Sequence, residues 1–78
     1  MAHREKPLRY ERHALARMRE RGVSRAQIEA AILAPDWIAP ANKDARNKIV
    51  KRIGKRSLVV IVEETPSFIR IISTWWLS

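Results

Sequence analysis

Apolar residues recur at helical spacing in the first part of the chain. Tyr10, Ala14 and Met18 lie four residues apart and predict the buried stripe of an amphipathic helix. We expect this helix to run from about Tyr10 to Arg21. Gly22 should end it, because glycine enters the left-handed conformation at little cost just past a helix C-terminus.

A second helix is predicted directly afterwards. Ser24 and Gln27 have the spacing of a capping box, in which each side chain accepts a hydrogen bond from the other residue's backbone N–H. Pro35 should stop the helix, because the residue before a proline is disfavoured in helical geometry. The apolar stripe of this helix is formed by Ile28, Ala31 and Ile32. Only Gly22 and Val23 separate the two helices, so we expect a compact helical corner.

Alternation of apolar and polar residues replaces the helical pattern after Asp36. Strands are predicted over Asn47–Ile53, Arg56–Glu63 and Ser67–Leu77, with Trp37–Pro40 as a short edge strand. Gly54-Lys55 has the composition of a two-residue hairpin turn. Leu58–Val62 is apolar at every position, which indicates a central strand covered on both faces, or on one face and by a partner.

These elements predict an α+β fold in which two N-terminal helices pack on a three- to four-stranded antiparallel sheet. In the last strand, simple alternation points Phe68, Arg70, Ile72, Thr74 and Trp76 one way, and Ile69, Ile71, Ser73, Trp75 and Leu77 the other. Residues 1–8 lack periodicity and are expected to form a flexible lead-in to a single domain over residues 9–78.

Composition narrows the classes of function. The 78 residues carry 16 Lys and Arg against 8 Asp and Glu, a formal net charge of +8, which indicates a polyanionic partner or an acidic protein. Eleven of the cations are arginine, whose planar fork matches phosphate, so nucleic acid is favoured over a lipid surface. The chain lacks cysteine, an apolar run long enough to span a bilayer and the apolar part of a secretion signal. We therefore expect a cytoplasmic protein that does not bind membranes.

The first helix carries the candidate catalytic residues. His13, Arg17 and Arg21 are four residues apart, so they form one stripe beside the apolar one. This stripe would present a titratable imidazole and two permanent cations to an anion. The alternative is that His13 is an ordinary, partly buried histidine and that the arginines are solvated.

Cations also cluster on the predicted strands and their connections. Seven lie within residues 43–56, namely Lys43, Arg46, Lys48, Lys51, Arg52, Lys55 and Arg56. From this group and the last strand we assign to nucleic-acid binding Lys48, Lys51, Arg52, Arg56 and Arg70. The alternative for the lysines is that they block aggregation at a sheet edge. For Arg70, the alternative is an ion pair with Glu63 or Glu64 across the hairpin.

Several catalytic classes lack the residues that they need. Two glycines and two histidines are too few for a glycine-rich phosphate loop or a spaced set of metal ligands, so no cofactor or metal is expected. Metal-free RNA cleavage needs a base for the 2′-hydroxyl proton, cations for the phosphorane oxygens and an acid for the leaving 5′-oxygen. His13 is the candidate acid or base. Trp75 and Trp76 should face opposite ways, and the exposed one could stack on a base or pack on a protein partner, whereas core packing is the alternative.

Four segments follow one another in a recognisable order: HALARMRERGVS at 13–24, QIEAAI at 27–32, KRIGKRSLVVIV at 51–62 and RIISTWW at 70–76. This arrangement resembles the bacterial family known as domain of unknown function 4258, which is grouped with the RelE-like and BrnT-like ribonuclease toxins. The resemblance implies a RelE-like fold and a metal-independent, toxin-type endoribonuclease. By position it implies roles for His13, Arg17, Arg21, Thr74 and one of Lys51 and Arg52. Tryptophans stand where a late tyrosine would be expected, which argues against a tyrosine-assisted step.

Two hypotheses of different classes follow from the sequence. The first is an endoribonuclease of the toxin–antitoxin type that uses RNA as its substrate. The second is a non-catalytic basic module that binds RNA, DNA or an acidic antitoxin-like protein. A further option is a homodimer in which the strand Leu58–Val62 pairs with a second copy.

Overall fold

The computed structural model describes residues 6–41 and 45–77. Along the chain, the elements are β1 (Leu8–Tyr10), α1 (Arg12–Arg21), α2 (Arg25–Leu33), β2 (Trp37–Pro40), β3 (Arg46–Ile53), β4 (Arg56–Glu64) and β5 (Ile69–Leu77). The strands form one sheet in the order β1-β5-β4-β3-β2, and both helices pack on the same face of it. The predicted α+β fold with two helices on a sheet is confirmed.

The sheet has five strands and is mixed, whereas three or four antiparallel strands were expected. β1 pairs in parallel with β5, and the other neighbours are antiparallel. Three residues are too few to show alternation, so the pattern did not reveal β1, and Tyr10 belongs to this strand and not to the first helix. Of the lead-in expected over residues 1–8, Leu8 lies in β1, and residues 1–5 lie outside the described residues.

The helix ends follow the predicted chemistry. Gly22 has φ of 66° in the left-handed region, and its N–H donates to Met18 O. At the start of α2, Gln27 N donates to Ser24 Oγ at 3.1 Å and Ser24 N donates to Gln27 Oε1 at 2.9 Å. The capping box is therefore complete, and it holds the corner between the helices.

The core lies between the helices and one face of the sheet. It is formed mainly by Ala14, Met18, Ile28, Ala31 and Ile32 from the helices and by Ile49, Leu58, Val60, Val62, Ile69 and Ile71 from the strands. β4 is the central strand, as predicted, with β3 on one side and β5 on the other. Because both edges of β4 are paired, Leu58–Val62 cannot also pair with a second copy.

A β-bulge in β5 changes the faces that its residues occupy. Ile61 pairs with Ser73 whereas Val62 pairs with Ile71, so Ile72 is one residue too many for the ladder. The extra residue resets the alternation, and Ile71 and Thr74 both face the helices. Simple alternation, which placed Ile71 and Thr74 on opposite faces, is wrong at this point.

We call the side of the sheet away from the helices the open face. It carries Trp37 of β2, Lys48, Val50 and Arg52 of β3, Val59 and Ile61 of β4, and Arg70, Ser73 and Trp75 of β5. Among the described residues, no helix or strand covers it. The sheet therefore separates two surfaces, and the predicted site residues divide between them.

Candidate nucleic-acid interface

Helix α1 is positioned by the backbone of β5 at both of its ends. Glu11 N donates to Ile71 O at 3.4 Å, and Arg21 Nη1 donates to Thr74 O at 2.9 Å. β1 pairs with β5 only as far as Ile71, and α1 then follows the stretch of β5 beyond it. The helix is thereby fixed along this part of β5, with the guanidinium of Arg21 on the strand's backbone.

The three residues of the predicted stripe differ in their surroundings. Arg17 Nη1 lies 2.9 Å from Glu20 Oε1 in an exposed ion pair, and Arg21 is anchored to β5 as described above. His13 is exposed, and its imidazole has no hydrogen-bond or ionic partner within residues 6–41 and 45–77. At 1.5 Å per residue, the stripe from His13 to Arg21 is about 12 Å long. It combines an accessible imidazole with two guanidinium groups.

Arg21 also takes part in a cluster with Trp76 and Arg56. Trp76 Nε1 donates to Arg21 O at 2.9 Å, a carbonyl that the helix end leaves free for this bond. The guanidinium carbon of Arg56 lies 4.0 Å from the centroid of the Trp76 ring, at cation–π distance. The indole of Trp76 thus links the backbone of Arg21 to the guanidinium of Arg56.

Lys51 lies on the same side of the sheet as this cluster. It is in register with Leu58, and Leu58 is in register with Trp76. Two strand spacings, about 10 Å in all, therefore separate the Lys51 and Trp76 backbones. Lys51 is half-buried and belongs to the helix-covered side, together with the stripe and Arg56.

Thr74 occupies a different environment from the one that its assignment as a catalytic residue requires. Its side chain is 0% exposed, and its hydroxyl donates to Val59 O at 2.7 Å. The hydroxyl donates its hydrogen bond to the neighbouring strand and is not accessible at the surface.

Arg70 forms the ion pair that was the alternative to an RNA-binding role. Its Nη1 lies 3.3 Å from Glu63 Oε1, and its Nε lies 3.6 Å from Glu11 Oε2. Glu63 is its cross-strand neighbour in the ladder. Two carboxylates therefore share the charge of Arg70, and little of that charge is left for an anion.

Lys48 and Arg52 lie on the open face, on the other side of the sheet from His13 and Arg21. Both side chains are exposed. Asp36 Oδ2 accepts a hydrogen bond from the backbone N–H of Arg52 at 2.6 Å, and Arg52 Nε donates to Gly54 O at 3.4 Å. Lys48 and Arg52 therefore do not form one hollow with the helix stripe, unlike Lys51 and Arg56 on the helix-covered side.

An apolar cleft of about 290 Å³ lies between the end of α2 and the sheet. Its lining is Ile32, Leu33, Pro35, Ile38, Asn47, Ile49, Val62, Glu64 and Ile69. None of the predicted site residues belongs to it.

Tyr10 carries a buried hydroxyl that sequence reasoning did not single out. Within the described residues this hydroxyl has no hydrogen-bond partner. Burial raises the pKa of Tyr10, the negative charge of Glu29 raises this pKa further, and Arg25 opposes both. The guanidinium carbon of Arg25 lies 4.6 Å from the centroid of the Tyr10 ring. The contact links β1 to the start of α2.

Two further properties of the described residues bear on the class of site. They contain no group of three or more His, Cys, Asp and Glu side chains arranged to share a metal ion. Neither of their helices is long and apolar enough to cross a bilayer.

Comparison with known proteins places the chain in a family. The curated proteins give no match, and the solved structures give none. The family model described as domain of unknown function (DUF4258) matches residues 10–76, a range that includes both helices, β2 to β4 and nearly all of β5. The protein therefore belongs to the DUF4258 family.

Proposed function

We propose that this protein is a metal-independent endoribonuclease of the toxin–antitoxin type. The observation that carries the proposal is the exposed imidazole of His13, at one end of a stripe whose other end is the anchored guanidinium of Arg21. The resemblance of the sequence to RelE-like and BrnT-like ribonuclease toxins implies the same function.

In the proposed reaction, His13 accepts the proton of a 2′-hydroxyl as that oxygen attacks the adjacent phosphorus. The bond from phosphorus to the 5′-oxygen breaks, and the leaving oxygen takes a proton from water. The products are a 2′,3′-cyclic phosphate and a 5′-hydroxyl. The protonated imidazole then returns its proton to the solvent.

The two arginines of the stripe suit the role of stabilising charge on the phosphorane oxygens. Arg21 uses one N–H for Thr74 O, and a guanidinium has four more to offer. Arg17 pairs with Glu20 at the surface, where such pairs contribute at most about 1 kcal/mol, so a phosphate can replace the carboxylate. Lys51 and Arg56, on the same side of the sheet, extend the positive surface.

The net charge of +8 supports an acidic, antitoxin-like protein as the second partner. Such a partner would compete with RNA for the same cations. A cytoplasmic location and a homodimer stay predictions, and size-exclusion mass tests the homodimer.

The second candidate is a non-catalytic basic module that binds nucleic acid or the acidic partner. Two observations favour it. Among the described residues, no side chain bonds to the His13 imidazole and orients it. The burial of the Thr74 side chain points the same way, because it removes from the surface one of the residues to which the family resemblance assigns a role.

Incubation of purified protein with labelled single-stranded RNA and a chelator separates the two functions. We expect cleavage that survives the chelator, and we expect His13→Ala to lower its rate by at least about 100-fold, the low end of what general acid–base catalysis supplies. Arg12→Ala, which removes an exposed neighbour on the same helix, is the matched control and should cleave like the wild type.

The outcomes distinguish the candidates. Equal cleavage by the wild type and the His13→Ala variant would refute the catalytic role of His13. RNA binding without cleavage by the wild type would leave the second candidate. In that case binding should weaken with salt, with a log–log slope of roughly −0.7 per phosphate contacted on a single strand.

A further inference from the structure

One row of four residues crosses the open face from edge strand to last strand. Trp37 is in register with Val50, Val50 with Val59, and Val59 with Trp75. Three strand spacings, about 14 Å in all, separate the two tryptophan backbones. The row is an apolar strip with an indole at each end.

The two valines are buried although neither helix of the described residues lies on their side of the sheet. Val50 is 3% exposed and Val59 is 1% exposed. Side chains of the same face must exclude water from them, and the flanking indoles are the largest of these. Trp37 nevertheless leaves 60% of its surface exposed, which is costly for so large an apolar group without a partner.

Exposed cations border this strip on both sides. Lys48 and Arg52 lie two residues before and after Val50 on the same strand, so all three point to the open face. Of the nearby carboxylates, Glu63 pairs with Arg70, whereas Asp36 accepts a hydrogen bond from the Arg52 backbone N–H. An occupant of the strip therefore meets valines in the middle, an indole at each end and positive charge along its sides.

We propose that the open face binds single-stranded RNA, with bases stacked on Trp37 and Trp75 and phosphates against Lys48 and Arg52. Single strands are bound by this combination of stacking platforms and cations, whereas a duplex keeps its bases inside. The inference rests on the proposed function and deepens it, since it names an unpaired strand as the substrate. It places base contacts on one side of the sheet and His13 on the other side, across the edge of β5.

The test is fluorescence anisotropy with a labelled 12-nucleotide RNA in which every 2′-hydroxyl is methylated, so that the strand cannot be cut. The same sequence as a duplex is the second ligand. We expect the single strand to bind more tightly, and we expect Trp37→Ala to weaken it by at least about five-fold, the low end for one lost base–aromatic stack. Ile38→Ala is the matched control, because it removes another exposed apolar side chain of β2 that lines the cleft on the opposite face.

A second pair of variants tests the cations without touching the core. Lys48→Gln should reduce the magnitude of the log–log salt slope by about 0.7, whereas Arg19→Gln, on the exposed side of α1, should leave the slope unchanged. Circular dichroism confirms that each variant is folded. Wild-type affinity in folded Trp37→Ala, equal affinity for strand and duplex, or an unchanged slope in Lys48→Gln would overturn the inference. If Ile38→Ala lost as much affinity as Trp37→Ala, binding would depend on apolar surface in general and not on stacking at Trp37. That result would also overturn the inference.

Because the methylated strand cannot react, this assay is independent of His13. Failure of Trp37→Ala to weaken binding refutes the open face as the platform and leaves cleavage by His13 untouched. Loss of cleavage alone in His13→Ala leaves the binding result standing.

Discussion

At Thr74, a structural role and a catalytic role make opposite predictions. Thr74→Val keeps the shape of the side chain and removes the hydroxyl that donates to Val59 O. Thr74→Ser keeps the hydroxyl and removes the methyl group from the core. If the hydroxyl serves only the sheet, both variants lose stability and neither loses RNA binding or cleavage once folded.

The size of the stability change follows from the environment of the bond. The bond is 2.7 Å long, and the side chain is 0% exposed. A typical hydrogen bond contributes about 0.5–1.5 kcal/mol net. Val59 is paired in the ladder on both sides, so its carbonyl keeps a backbone donor when the hydroxyl is removed. We therefore expect Thr74→Val to lower the free energy of unfolding by about 0.5–1.5 kcal/mol. Each kcal/mol corresponds to a fall in Tm of about 4–8 °C in a domain of this size.

Thermal unfolding followed by circular dichroism measures the stability of both variants. RNA binding and cleavage are then measured well below the lower Tm, so that every protein compared is folded. Thr74→Ser should lose about 1 kcal/mol for the buried methyl group. A Thr74→Val variant with unchanged Tm and no cleavage, beside an active Thr74→Ser, would refute the structural role and return the hydroxyl to the active site.

Two further predictions concern stability. Tyr10→Phe should be as stable as the wild type or up to about 1 kcal/mol more stable at pH 7, because it removes a buried hydroxyl without a partner. Burial raises the pKa of Tyr10 in the folded chain. When the pH rises past about 10, the ordinary pKa of tyrosine, the hydroxyl is therefore deprotonated in the unfolded chain before it is deprotonated in the folded one, and this favours unfolding. The wild type should therefore lose more stability than Tyr10→Phe between pH 9 and pH 11 in urea unfolding, and parallel losses would contradict this. Ser24→Ala should cost about 1 kcal/mol through loss of the capping box, whereas Ser67→Ala, at an exposed turn, should cost less than about 0.5 kcal/mol; equal midpoints would refute the role of the cap.

Local chemistry accounts for what the sequence predicted well. Gly22 and the pair Ser24 and Gln27 act within a few residues of themselves, so their spacing alone is enough to predict both sides of the helical corner. The hairpin at Gly54, with φ of 65°, and the edge strand containing Pro40 follow from similarly local rules.

Features that depend on distant partners were not predictable in this way. β1 forms because residues 8–10 pair with β5, about sixty positions later in the chain, and the pattern of those three residues does not predict a strand. The bulge at Ile72 likewise arises from pairing with β4, and it decides that Thr74 is buried. The division of the candidate site between two faces has the same cause. Alternation within β3 predicts that Lys51 and Arg52 lie on opposite faces of the sheet, but it does not predict which face the helices cover.

The position of β5 also sets the order in which these elements can be completed. It follows the other described strands along the chain, yet β1 pairs with it and α1 rests mainly on it. On the ribosome, β1 and α1 emerge before β5, so they acquire these native neighbours only after β5 has been made. A chain that is terminated before Ile69 would leave its basic helix undocked, so docking of α1 waits for the synthesis of β5.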